Sequence, residues 1–118
     1  MHVGSHVIIG GMSGVHQFCH IGAHSFIAAN ALVLKDVPAY VMASGHPAKP
    51  FGLNTEGMKR RGFASESILS IKRAYKEVYR KKQSIEDALS AITEQSTVTS
   101  ELELFTNSVK NSTRGIIR

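Results

Sequence analysis

Six histidines, at positions 2, 6, 16, 20, 24 and 46, all fall within the first 46 residues of this 118-residue chain. His16, His20 and His24 are four apart. On a helix they would share one face and could hold a metal ion. The residues around them do not follow a helical period, so no metal site is expected, and His2, His6, His20 and His24 read as solvent-facing or hydrogen-bonded. The second candidate is the basic run Lys59-Arg60-Arg61-Gly62. Arginine's planar fork suits a phosphate clamp, and a solvated basic surface is the competing reading. The run is short and no basic–aromatic platform accompanies it, so nucleic acid is not an expected partner.

The elements that must carry these groups are set by a different period. Val3, Ile9, Val15, Ile21, Ile27 and Val33 recur every sixth residue without exception. A second track of small or β-branched residues lies four further on, at Val7, Ser13, Cys19, Ser25, Ala31 and Val37. Glycine follows the anchor at positions 4, 10 and 22. Period six fits neither a helix face nor a strand. It is the mark of a hexapeptide-repeat parallel β-helix, with the aliphatic anchor pointing inward and each coil covering its neighbour's edge. Glycine is expected here to supply backbone angles that a β-carbon forbids. At eighteen residues per coil, residues 1–38 make about two coils, with His2 stacked over His20 and His6 over His24. A solenoid ordinarily needs at least three repeats and a cap, so the chain reads as the later coils of a longer solenoid. Cys19, the single cysteine, is expected to be a buried thiol.

Charge divides the chain. Up to Gly45 the only charged side chains are Lys35 and Asp36, and the net charge of +5 comes from the residues beyond Gly45. Such a balance favours acidic or phosphorylated partners. No apolar run is long enough to span a bilayer and no signal peptide is evident. The expectations are therefore no membrane insertion and a cytoplasmic location. Pro38, Pro47 and Pro50, with Gly45 and Gly52, read as breakers of regular structure from 36 to 54, giving a connecting loop over 39–54. Beyond it, residues 55–118 read as a helical domain. Ile68, Ile71, Tyr75, Val78 and Tyr79 make one apolar face of a first helix. Ser84 with Asp87, and Ser100 with Glu103, have capping-box spacing and open a second and a third.

The segments "GGMSGVHQFCHIGAH", "KDVPAYVMASG", "PFGLNTEGMKRRGF" and "STRGIIR" resemble the C-terminal part of the acyl-[acyl-carrier-protein]–UDP-N-acetylglucosamine O-acyltransferases, over all 118 residues. The resemblance implies a left-handed parallel β-helix followed by a C-terminal helical domain, and a homotrimer with sites between subunits. It implies transfer of a 3-hydroxyacyl group from acyl carrier protein to the 3-hydroxyl of UDP-N-acetylglucosamine, the first step of lipid A synthesis, without a cofactor.

Carried onto this sequence, the resemblance puts His16 and Gln17 at the sugar nucleotide and Asn54 and Glu56 near the uracil. Arg60 and Arg61 meet the diphosphate or the carrier's phosphopantetheine. Ala29 stands where the family's acyl-chain ruler sits, and Lys72 and Lys76 help dock the acidic carrier. The family's general-base His has no counterpart in these residues and is expected upstream of them. A sugar hydroxyl needs that base to become nucleophilic, so no catalytic residue is assigned and the chain alone is expected to be inactive. Two other readings remain open, a non-catalytic trimeric module and a hexapeptide-repeat zinc enzyme such as a carbonic anhydrase.

Overall fold

The aliphatic anchors stack in register in the computed structural model, which describes all 118 residues. Two-residue strands alternate with turns: β1 (His2–Val3), β2 (Ile8–Ile9), β3 (Gly14–Val15), β4 (His20–Ile21), β5 (Phe26–Ile27) and β6 (Leu32–Val33). Pairing is parallel between successive coils, β1 with β4, β2 with β5 and β3 with β6. Three separate sheets therefore form the three sides of a prism. His2 pairs with His20 and Val3 with Ile21, the eighteen-residue spacing the hexads require.

The second turn is shorter. Ile21 bridges to Val37 and Phe26 pairs with Met42, each sixteen residues on. Val37, placed by the sequence on the small-residue track, is instead the next anchor over Ile21. Two residues are missing from the hexad count between Val33 and Val37, and counting by six passes over them.

The glycines also have a different reason from the one expected. Gly4, Gly10 and Gly22 are not at positive φ; the left-handed corners belong to His6, Met12, His24, Asn30 and Tyr40, with φ between 59° and 68°. Glycine is needed because the next coil passes too close. A β-carbon on Gly22 would lie 2.3 Å from the Ala39 nitrogen and 2.7 Å from its Cα.

The stretch read as broken carries two strands, β7 (Val41–Ser44) and β8 (Lys49–Leu53). β7 continues the β2–β5 sheet in parallel, and β8 then pairs with β7 antiparallel. Proline is tolerated in an edge strand, where one side of the backbone needs no donor; Pro50 lies in β8, the edge of this sheet.

Four helices follow, where the sequence indicated three: α1 (Thr55–Arg60), α2 (Ser65–Tyr79), α3 (Ile85–Gln95) and α4 (Ser100–Lys110). Asn54 caps α1 and Ser84 caps α3, as its spacing predicts. The cap of α4 is Thr99, whose hydroxyl accepts from the Leu102 amide, not Ser100. Thr99 holds the extended conformation a cap requires, whereas Ser100 is already the first helical residue. α2 has Ala64 at its cap position and so lacks a side-chain cap.

The helices pack on the solenoid through α4 and the tail. The Ala39 amide donates to Ser108 Oγ at 2.9 Å and the Tyr40 hydroxyl to the Glu101 carbonyl at 2.6 Å. Asp36 is the latch. It is buried, its carboxylate accepts from the His20 amide at 2.8 Å and the Ser112 hydroxyl at 2.7 Å, and its backbone pairs with the tail at Gly115 and Ile117. One core results. It runs from Cys19, Ile21, Ile27 and Val33 inside the prism to Ile71, Val78, Leu102 and Phe105 among the helices. Fully burying each valine, leucine, isoleucine or phenylalanine among them stabilises by about 1.5–3 kcal/mol before chain entropy is counted. No helix is long and apolar enough to cross a membrane.

Candidate functional site

Asn54 sets the geometry of the basic run. Its Oδ1 accepts from the Gly57 amide at 3.1 Å and its Nδ2 donates to the His24 carbonyl at 3.1 Å. One amide thus caps α1 and ties it to the solenoid corner. Gly57 is required for this fit, because a β-carbon there would lie 2.5 Å from Asn54 Nδ2. α1 is only six residues long, so Arg60 and Arg61 at its end come back over the same corner. With His6, His24, Asn54 and Gly57 they line a cavity of about 260 Å³ with no carboxylate in its wall.

Beneath it stands a column of rings. His6 stacks on His24 at 4.9 Å between centroids, His24 on Tyr40 at 5.4 Å, and Phe63 meets both His24 and Tyr40 edge-on. The histidine stacking is as the eighteen-residue period predicts. His24, however, is buried, not solvent-facing. Burial lowers its pKa from the ordinary imidazole value, and the neighbouring His6 and Arg61 lower it further. Burial raises the pKa of Tyr40, whose hydroxyl is engaged with α4, so the phenol stays neutral.

A second cavity, about 670 Å³, lies between α2 and the end of β8. Lys72, Lys76 and Arg80 line it, with Tyr75, Gly52, Leu53 and Thr55. Lys72 and Lys76 on α2 and Arg80 at its C-cap are spaced by four, so they share one face, and again no carboxylate lines the wall.

The remaining predicted residues stand elsewhere. His16 and Gln17 occupy the turn between β3 and β4, a different corner of the prism. His16 Nδ1 accepts from the Phe18 amide at 3.4 Å, and its half-buried ring lies 5.8 Å from the Phe18 ring. Phe18 is largely exposed, with the Arg114 guanidinium 5.7 Å from its ring centroid. Ala29 is exposed in the turn after β5, and Glu56 is exposed in the first turn of α1. Neither lines the two cavities. Cys19 is buried, and burial with the nearby Asp36 charge raises its pKa, so it is not a reactive thiolate.

Sequence reasoning missed His6, His24 and Arg80 as members of these sites. The signal for Arg80 was present as the third term of the series 72, 76, 80. For the histidines it was the stacking itself, without knowledge of what else reached that corner.

A parallel β-solenoid with inward aliphatic anchors, followed by a helical unit, is the fold this chain shares with solved acyltransferases. Among these, the family model described as UDP N-acetylglucosamine O-acyltransferase, domain 2, matches residues 36–117. The chain belongs to that family. The acyl-[acyl-carrier-protein]–UDP-N-acetylglucosamine O-acyltransferase of Stutzerimonas stutzeri is 48% identical over 118 residues, all of this chain and 46% of that relative. The solved LpxA of Acinetobacter baumannii matches with a TM-score of 0.94 at 45% identity, over 99% of this chain and 46% of that one. LpxA of Bacteroides fragilis gives 0.94 at 34% identity, over 98% and 46%. The chain therefore spans a little under half the length of the relatives it matches.

Proposed function

We propose that these residues serve an acyltransferase that moves a 3-hydroxyacyl group from acyl carrier protein to the 3-hydroxyl of UDP-N-acetylglucosamine, the first step of lipid A synthesis. The observation that carries the reading is the carboxylate-free cavity in which Asn54, Arg60 and Arg61 meet over the solenoid corner. Its role is to hold phosphate. Arg60 and Arg61 supply fixed forks for a diphosphate or for the phosphodiester of phosphopantetheine, and Asn54 keeps α1 seated while its remaining N–H faces the nucleotide. The α2 groove, with Lys72, Lys76 and Arg80, docks the acidic carrier protein and steers its approach.

His16 and Gln17 contact the sugar nucleotide from their own corner, Glu56 approaches the base, and Ala29 limits the acyl chain. His16 and Arg60 occupy different corners of one prism. A cleft that draws on both is made when copies of the chain pack around an axis, and this favours a homotrimer with sites between subunits. The solenoid sense is left-handed, as in the family the hexads resemble. None of these 118 residues is assigned as the base that deprotonates the sugar hydroxyl, and the isolated chain is expected to show no turnover. No cofactor takes part.

Isothermal titration with UDP-N-acetylglucosamine tests the reading. Arg60→Ala and Arg61→Ala should each weaken binding by about 1–3 kcal/mol, the range for hydrogen bonds to a charged group. Unchanged affinity in both variants would reduce the cluster to surface.

A further inference from the structure

We propose that His6 and His24 belong to the same phosphate subsite as Arg60 and Arg61, and that an anion seated there is held more tightly as these imidazoles take up a proton. The inference rests on the phosphate reading of Arg60 and Arg61 and adds two residues and a proton to it.

Both rings line the same cavity as the two arginines. They are stacked 4.9 Å apart at two left-handed corners of successive coils, with φ of 59° and 61°. Positive φ is uncommon outside glycine, but histidine is among the residues that adopt it most readily, and at both corners the ring is directed into the column under Arg61. The groups around His24 are His6 from the coil before, Tyr40 from the coil after, Phe63, and Arg61 from the end of α1. Every one that bears charge is cationic; Tyr40 is a neutral donor to α4, and Glu101 offers only its carbonyl. No carboxylate lines the cavity.

An empty site of this composition repels a proton from His24. A phosphate in it reverses the balance, because an opposite charge nearby favours the protonated ring. Binding and protonation are then coupled, and the coupling is reciprocal: if the anion draws in a proton, falling pH must strengthen the anion's binding. Imidazole is the side chain able to do this near neutrality. The ligand chemistry is a fully ionised phosphodiester or diphosphate diester, present in both the sugar nucleotide and the carrier's phosphopantetheine arm.

The test is calorimetry on the chain with two probes, UDP-N-acetylglucosamine and a phosphopantetheinylated serine peptide. It is run at pH 6.5 in two phosphate-free buffers of different ionisation enthalpy. Neither probe's phosphate titrates there, so any proton taken up belongs to the protein. For the probe whose phosphate occupies the subsite, proton uptake is expected. Affinity should fall by roughly three- to tenfold from pH 5.5 to 7.5. His6→Asn and His24→Asn keep a residue that tolerates the left-handed corner, and each should bring the ratio of affinities at the two pH values toward one. His6 is exposed, so its variant tests the idea even if His24→Asn fails to fold. Binding that depends on Arg60 and Arg61 but takes up no proton overturns the proposal and leaves the arginine reading standing. Binding of neither probe, or binding indifferent to both arginines, overturns the two together.

Discussion

Replacing Gly22 with alanine should cost this protein a large part of its stability, for a reason visible only between coils. The added β-carbon would meet three backbone atoms of the next coil, the Ala39 nitrogen at 2.3 Å, its Cα at 2.7 Å and the Pro38 carbonyl carbon at 2.8 Å. Backbone cannot rotate away, so the coils must separate by about 1 Å to reach the ordinary contact distance of roughly 3.5 Å. That separation stretches the bonds that bind the coils at this point, Gly22 N–H to the Val37 carbonyl at 2.8 Å and Val37 N–H to the His20 carbonyl at 3.0 Å. Overpacking of this kind costs about 1–3 kcal/mol, and two weakened backbone hydrogen bonds add about 1 kcal/mol each. A loss of about 3–5 kcal/mol is therefore expected, against a total of about 5–15 for an ordinary domain. Gly11→Ala is the control. Nothing lies within 4 Å of its added carbon and its φ is not positive, so it should be neutral or stabilise by up to about 1 kcal/mol through the unfolded state. Urea unfolding followed by far-UV circular dichroism measures both. If Gly22→Ala lies within about 1 kcal/mol of Gly11→Ala, the close-approach account of the solenoid glycines is wrong.

Three other perturbations probe the core, the titrating groups and the basic face of α2. Ile21→Asp puts an unpaired carboxylate where the side chain is 1% exposed inside the prism. Folding should be lost, and native sedimentation and a cooperative melt of that variant would contradict the inward register. Acid should unfold the protein in two windows. His24 has a lowered pKa, so its contribution is complete above the ordinary imidazole value of 6.5 and declines as pH falls below it. Glu77 is held below its ordinary 4.5, first by Lys81, then by Gln83 and Gln95, and its contribution is lost as pH falls through that lowered value. Glu77→Gln should flatten the lower window in a melting-temperature profile and leave the upper one; an unchanged lower limb would refute the assignment. Finally, charge reversal at Lys72 and Lys76 should weaken binding of acyl carrier protein by at least about 1 kcal/mol at low salt, with the difference shrinking as salt is raised. Salt-independent binding, equal in both proteins, would move the docking face elsewhere.

How much of this could be read beforehand varies along the chain. The anchors from Val3 to Val33 are legible because a period of six matches no competing element. Val37 is not, since a turn shortened to sixteen residues leaves each local hexad looking normal. β7 and β8 are hidden by Pro47, Pro50, Gly45 and Gly52, whose tolerance depends on lying at a sheet edge and a tight reversal. α1 is too short for a period, and its cap, Asn54, has no capping-box partner; Gly57 is there for space. At the candidate site, the Arg60–Arg61 pair announces itself by composition. His24 does not, because its environment is assembled from Tyr40 and Phe63, far along the chain and brought in by the coil above and by α1. Local pattern fixes what repeats locally, while the cavity depends on where separate segments cross.

Because β8 runs against β7, no further coil can be threaded onto that end of the stack, and elongation by duplication must occur among the coils themselves. Each whole turn gained or lost moves the helical unit along the prism axis by one inter-strand spacing, about 4.8 Å. The span between a group fixed on an early coil and the Arg60–Arg61 pair is thus quantised, like the teeth of a ratchet. Insertions and deletions can change the reach of such a site only in those steps, and any finer matching to the length of a ligand must come from side chains at the corners.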